Sequence, residues 1–163
     1  MILIALGANL PSPAGEPAQT LRAAFEALGT HGADVRAVSK FYATPAWPDP
    51  NDPPFVNAVA HIETALSPVA LLAALHNVET AFGRRRSERN APRTLDLDLL
   101  DYDGRIEPGP PALPHPRMTG RGFVLVPLAD IAPGWRHPIT GRSVQSLIAD
   151  LPPEQREVRE LAC

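Results

Sequence analysis

The stretch "PRTLDLDLLDYDG", residues 92–104, alternates so that Leu95, Leu97 and Leu99 fall on one side of an extended chain and Asp96 and Asp98 on the other. The leucines belong in a core, so the run reads as a half-buried strand closed by a turn at Asp103 and Gly104. Upstream of it, Ser67 and Pro68 stand where a helix cap and first helical residue belong. Leu71, Leu75, Val78 and Phe82 then mark a helix stripe that stops before Gly83. "FVNAVAHIET" (55–64) alternates strictly, and "ADVRAVSKFYAT" (33–44) is rich in β-branched and aromatic residues; the proline-rich loop "PAWPDPNDPP" lies between these two strands. From Pro17, Leu21, Ala24, Phe25 and Leu28 give an amphipathic helix with Gly29 as its stop, and "ILIAL" (2–6) is a buried central strand ending at Gly7. The order strand, helix, strand, strand, helix, strand predicts an α+β fold, a ferredoxin-like βαββαβ sandwich whose antiparallel sheet is covered by two helices. The last third is read as a proline-rich C-terminal extension, with short helices near 117–120 and 143–150 and a peripheral tail.

Composition narrows the function classes. At 163 residues, one domain over 1–163 is expected. A net charge of −3 argues against nonspecific binding to nucleic acid or membranes. The one cysteine, Cys163, excludes a disulfide framework or a cysteine metal cluster. No apolar run is long enough for a membrane span or shaped like a signal peptide, so a cytoplasmic protein is expected, and a monomer. Lys40 is the only lysine, which excludes a P-loop: any phosphate must be handled by arginine.

Asp96 and Asp98 raise the chemical question. Two carboxylates on one strand face, roughly 6–7 Å apart at Cα, repel unless a cation lies between them, and a pair of divalent ions is a common solution in phosphoryl chemistry. The plainer alternative is a solvent-facing pair; Asp101 and Asp103 are assigned to strand-end and turn roles. Arg84, Arg85, Arg86, Arg89 and Arg93 crowd the segment that feeds the strand. Phosphate would explain both clusters, since arginine grips phosphate oxygens in pairs and magnesium held by few carboxylates keeps phosphate ligands. Glu79 lies at the edge of the apolar helix stripe and requires a partner, either a following arginine or a ligand hydroxyl. Phe55 and Asn57 share one strand face, a pairing suited to stacking on and reading a heterocycle, or else ordinary sheet decoration. His115 alone reads more readily as structural.

Taken together, "GANL" after the first strand, "TP" at 44–45, "FVNA" at 55–58, "PRTLDLDLL" at 92–100 and "LPHPRMTGRGFVLVPL" at 113–128 closely resemble the 6-hydroxymethyl-7,8-dihydropterin pyrophosphokinase family, over about residues 2–133. The resemblance implies the ferredoxin-like sandwich and transfer of the pyrophosphoryl group of ATP to the pterin hydroxymethyl oxygen, with release of AMP and two Mg2+ ions as cofactors. It implies that Asp96 and Asp98 hold the metals, and that Arg84, Arg93, His115 and Arg121 join them in catalysis. It implies ATP contacts at Leu72, His76, Glu79, Arg84, Arg86, Arg93, Leu99, His115 and Arg121. It places the pterin against Thr44, Pro45, Phe55, Asn57, Asp96 and Phe123. Departures from the family pattern are His76 for a glutamine, Asn90 for a tryptophan, Phe55 for a tyrosine and Ala8 for a serine. Two rivals from other classes are a metal-dependent phosphohydrolase using the same aspartates and a non-catalytic binding module on the same sheet.

Overall fold

The computed structural model describes residues 1–46, 49–84 and 94–162; Trp47, Arg85, Arg86, Arg89, Asn90, Arg93 and Cys163 lie outside the described residues. Strand β1 (Ile2–Ala8) is buried along its whole length because it lies inside the sheet, antiparallel to both β4 (Phe55–Glu63) and β5 (Asp96–Tyr102). The other edge of β4 carries two strands: β2 (Asp34–Val38) and β3 (Tyr42–Thr44). The segment expected as one strand is thus broken at Ser39. Its amide donates to Val59 O (2.9 Å) and its Oγ accepts from Val59 N (2.9 Å), so β4 keeps its backbone partners across the break.

Helices α1 (Pro17–Thr30) and α2 (Pro68–Ala81) pack on one face of the sheet, where Leu21, Leu28, Leu71 and Leu75 meet Leu6, Ile62 and Leu97. Ser67 caps α2 by accepting from Ala70 N at 3.2 Å, with Pro68 in the first turn as expected. The stop assigned to Gly29 is corrected: α1 runs through it to Thr30, and Gly32, at φ 92°, takes the left-handed conformation that ends the helix.

The larger correction concerns the last third of the chain, which is no mere extension. Helices α3 (Gly122–Ile131) and α4 (Val144–Ala149) cover part of the opposite sheet face. Leu125, Leu128, Trp135 and Leu147 form a second core there against Leu3, Val59 and Leu100. Pro127 concealed α3 in the sequence: it cannot donate to the carbonyl four residues back, yet it sits buried inside a helix whose apolar side chains pack on the sheet. The tail also joins the sheet, as β6 (Arg159–Glu160) pairs with β3.

A β-bulge in β5 serves both cores. Ile4 pairs with Leu99 and Leu3 with Asp101, so Leu100 is the extra residue. Leu100 packs in the second core, and Asp101, expected at a strand end, is buried and accepts from Trp135 Nε1 at 2.8 Å and Gly104 N at 2.9 Å. Among the described residues no helix is long and apolar enough to cross a membrane.

Because the second core shares its sheet with the first, Leu125→Ala is expected to lower stability by about 2–5 kcal/mol. Urea denaturation should keep one transition; a separate early transition for the C-terminal helices would contradict this account.

Candidate active site

Since α3 begins only at Gly122, it covers part of the second sheet face and leaves the rest open. A cavity of about 540 Å³ occupies the open end. The side chains that reach it follow from strand parity: Phe55 and Asn57 on β4 and Asp96 and Asp98 on β5 share this face, whereas Ala58, Ala60, Leu97 and Leu99 turn into the first core. Thr44 and Pro45 at the end of β3 form one side, and Arg121 and Phe123 at the start of α3 the other.

On the floor, Asn57 Nδ2 donates to Thr44 Oγ1 at 2.9 Å, with both side chains buried. A Cβ on Gly7 would lie 2.9 Å from Asn57 Oδ1, so any larger residue there would have to displace the Asn57 amide. Asn9 of the "GANL" turn donates to Pro53 O at 3.1 Å, tying that turn to the proline-rich loop. The result is a slot with aromatic rings at its sides and a fixed amide at its base, able to hold a flat heterocycle and read its edge.

Each aspartate faces a basic group. Arg84 Nη1 donates to Asp96 Oδ1 at 2.5 Å and also pairs with Glu79 Oε2. Glu79, 1% exposed, further accepts from Leu97 N at 2.8 Å, so its burial is answered by an arginine of the following segment and by the strand backbone. Burial alone would lower the Arg84 guanidinium, but the charges of Asp96 and Glu79 outweigh it and raise its pKa. Beside Asp98 lie Arg121 Nη1 at 3.6 Å from Oδ2 and His115 Nε2 at 3.9 Å from Oδ1. His115 is brought there by its amide, which donates to Leu100 O at 2.8 Å. Its Nδ1 accepts from Arg117 N at 3.1 Å, which leaves the ring proton on Nε2, toward Asp98. Burial, followed by the charges of Arg121 and Arg117, pushes this imidazole down to about 4.

The remaining expected residues are placed apart from the cavity. His76 is exposed and Leu72 half-buried on α2, Glu79 lies beneath Arg84, and Leu99 is in the first core. Arg86 and Arg93 fall outside the described residues. Two polar lining side chains went unread in the sequence: Arg117, inside the quoted "PHPRM", and Gln155 in the tail, for which no sequence signal exists; Ala5, Leu6 and Gly7 of β1 also line the cavity.

Glu79→Ala would strip Leu97 N of its acceptor and Arg84 of a buried partner, at an expected loss of about 2–4 kcal/mol. Glu79→Gln, which can still accept from Leu97 N, should lose less; ligand-free urea denaturation separates the two. Since the folded protein holds the His115 pKa below the unfolded value, the unfolded chain binds more protons between roughly pH 6.5 and 4. Stability should therefore fall as pH drops through that window, and fall less in His115→Asn, read as the difference in melting temperature between the two proteins.

Comparison with known proteins gives the family and the fold. The family model described as 7,8-dihydro-6-hydroxymethylpterin-pyrophosphokinase matches residues 3–133. The 2-amino-4-hydroxy-6-hydroxymethyldihydropteridine pyrophosphokinase of Pseudomonas aeruginosa is 42% identical over 152 residues, covering 93% of this chain and 91% of that protein. The enzyme of the same name from Methylorubrum extorquens is 40% identical, covering 92% of each. Among solved structures, wild-type HPPK-DHPS of Plasmodium falciparum aligns over 90% of this chain with a TM-score of 0.69 at 14% identity; this chain covers 40% of that longer one, and the likeness is one of fold. With a matching family model over most of its length and full-length relatives near 40% identity, the chain belongs to the 7,8-dihydro-6-hydroxymethylpterin pyrophosphokinase family.

Proposed function

We propose that the open end of the sheet is where this pyrophosphokinase moves the pyrophosphoryl group of ATP to the hydroxymethyl group of 6-hydroxymethyl-7,8-dihydropterin, a step of folate biosynthesis that releases AMP. In this reading the pterin lies between Phe55 and Phe123, with Thr44, Pro45 and Asn57 at its edge, and the triphosphate reaches the polar side formed by Asp96, Asp98 and Arg121. The observation that carries the reading is that both aspartates open into the same cavity as the two aromatic rings and the Thr44–Asn57 pair. Acceptor hydroxyl and phosphate are thereby confined side by side, which supplies most of what phosphoryl transfer requires of a protein.

Asp96 and Asp98 would hold two magnesium ions. The donor set fits: hard carboxylate oxygens, a quarter to a third exposed, and among the described residues no cluster of three or more His, Cys, Asp or Glu that would make an all-protein cage. Such a site suits an ion that keeps water and phosphate in its remaining positions. Among the described residues, the buried Oγ1 of Thr94, two residues upstream of Asp96, has no hydrogen-bond partner. When bound, the metal supplies charge neutralisation and alignment of the phosphate oxygens.

The chain's own groups divide the rest of the work. Arg121 lies against Asp98 and over the Phe123 ring (5.4 Å to its centroid), so it links the phosphate side to the pterin side. His115, neutral above about pH 5, acts as an Nε2–H donor to phosphate oxygen rather than as a fixed positive charge. Arg84, with Arg86 and Arg93, would close on ATP, and Glu79 would orient Arg84; Leu72, His76 and Leu99 are assigned to the nucleoside end of ATP. We assign the chain as a cytoplasmic monomer acting on small molecules, and the net charge of −3 supports independence from nucleic acid and membrane.

The test is nucleotide product analysis with magnesium-ATP, with and without 6-hydroxymethyl-7,8-dihydropterin. AMP should form only with the pterin, and Asp96→Ala and Asp98→Ala should each lower turnover by about three orders of magnitude or more. ADP and phosphate formed regardless of pterin would point to a phosphohydrolase; near-normal turnover by Asp98→Ala would overturn the metal assignment.

A further inference from the structure

The family match ends at residue 133, and the chain beyond it reaches back to the cavity. After α4, Arg156 donates from Nε to Leu151 O and from Nη2 to Ala149 O, both at 2.8 Å, and so holds the single 3-10 turn Pro153–Gln155 against the body. That turn presses on the first residue of α3. A Cβ on Gly122 would lie 1.8 Å from Gln155 O and 3.2 Å from Val158 Cγ2, so only glycine permits the contact. A few residues later the tail is fastened to the other wall of the slot. Leu161 N donates to Phe41 O at 2.8 Å, β6 pairs with Tyr42 and Ala43, and Lys40 Nζ meets Glu160 Oε1 at 3.1 Å.

The N-terminus of α3 shows why this contact matters. Helix starts leave amides without intrahelical partners, and the residue at the cap position normally supplies an acceptor side chain. Here the cap is Arg121, which has no acceptor and makes no capping bond; its guanidinium lies near Asp98 and Phe123 instead. Gln155 supplies the missing acceptor from 33 residues away, its Oε1 receiving the Gly122 amide at 3.2 Å. It also lines the cavity beside Phe123.

We propose that Gln155 is a positioning residue for the pterin: it caps α3 in place of Arg121 and so fixes the Phe123 ring, while the tail's seat on β3 sets the distance from that ring to Thr44 and Pro45. This rests on the pterin placement proposed above. The test uses the full chain and compares Gln155→Met, which removes the acceptor, with Gln155→Glu, which keeps it. Gln155→Met is expected to raise the KM for 6-hydroxymethyl-7,8-dihydropterin by about threefold to tenfold, the worth of one hydrogen bond, without a matching rise for ATP. Gln155→Glu should recover most of that loss. An unchanged pterin KM in Gln155→Met, an equal rise for both substrates, or a Gln155→Glu protein as impaired as Gln155→Met would each overturn the proposal. Phe123→Ala tests the placement separately. A large rise in pterin KM is expected; no rise would overturn the slot itself, whereas a rise in Phe123→Ala with none in Gln155→Met would reject the role of Gln155 alone.

Discussion

The antiparallel pairing of β5 with β1 is the constraint on which the rest of the molecule depends. It fixes which residues of β5 look toward α1 and α2 and which look the other way. Leu95, Leu97 and Leu99 enter the first core, so Asp96 and Asp98 are committed to the opposite face. A carboxylate pair is tolerable there only if that part of the face stays open. The late start of α3 at Gly122 keeps it open, while Leu100, one residue past Leu99, is covered. Site and second core are thus two ends of one sheet surface, divided by where a single helix begins.

Electrostatics follows from that division. Near Asp96 the protein places Arg84, itself anchored to the buried Glu79, and near Asp98 it places Arg121 and His115. The lowered His115 pKa fits a crowded, partly desolvated setting in which further positive charge is unfavourable. Arg84 joins α2 and β5 through two carboxylates, so the stability of the α2–β5 contact and the charge of the Asp96 face are linked through one guanidinium.

What the sequence made legible was whatever is written in short periods. The two-residue alternation of β4 and β5 placed Phe55, Asn57, Asp96 and Asp98 on one face, and the helix stripes with Ser67 and Pro68 placed α1 and α2. For Glu79 the sequence left two partners open, and the structure shows Arg84, five residues on, together with Leu97 N. The helix α3 was hidden because Pro127 interrupts a run too apolar to show a distinct face. The Asp101–Trp135 and Gly122–Gln155 bonds were out of reach for another reason: they join residues 34 and 33 apart in segments without periodicity. Such contacts are products of the fold and leave no local trace. The resemblance to a known family supplied roles for residues such as His115, which spacing alone would have assigned to structure.

The bulge at Leu100 has an evolutionary consequence. Leu100 shares the face of Asp96 and Asp98 by plain alternation, so that face is acidic at one end and apolar at the other; the residue inserted at the bulge then shifts the phase, so that Asp101 meets Trp135 and Tyr102 returns to the first core. Deleting or adding one residue between Asp96 and Tyr102 would reverse the facing of the strand on one side of the change, turning an aspartate inward or a core side chain outward. A substitution here changes one side chain at a time, whereas a change in the length of this strand re-aims every residue on one side of it, so length is the more tightly constrained of the two.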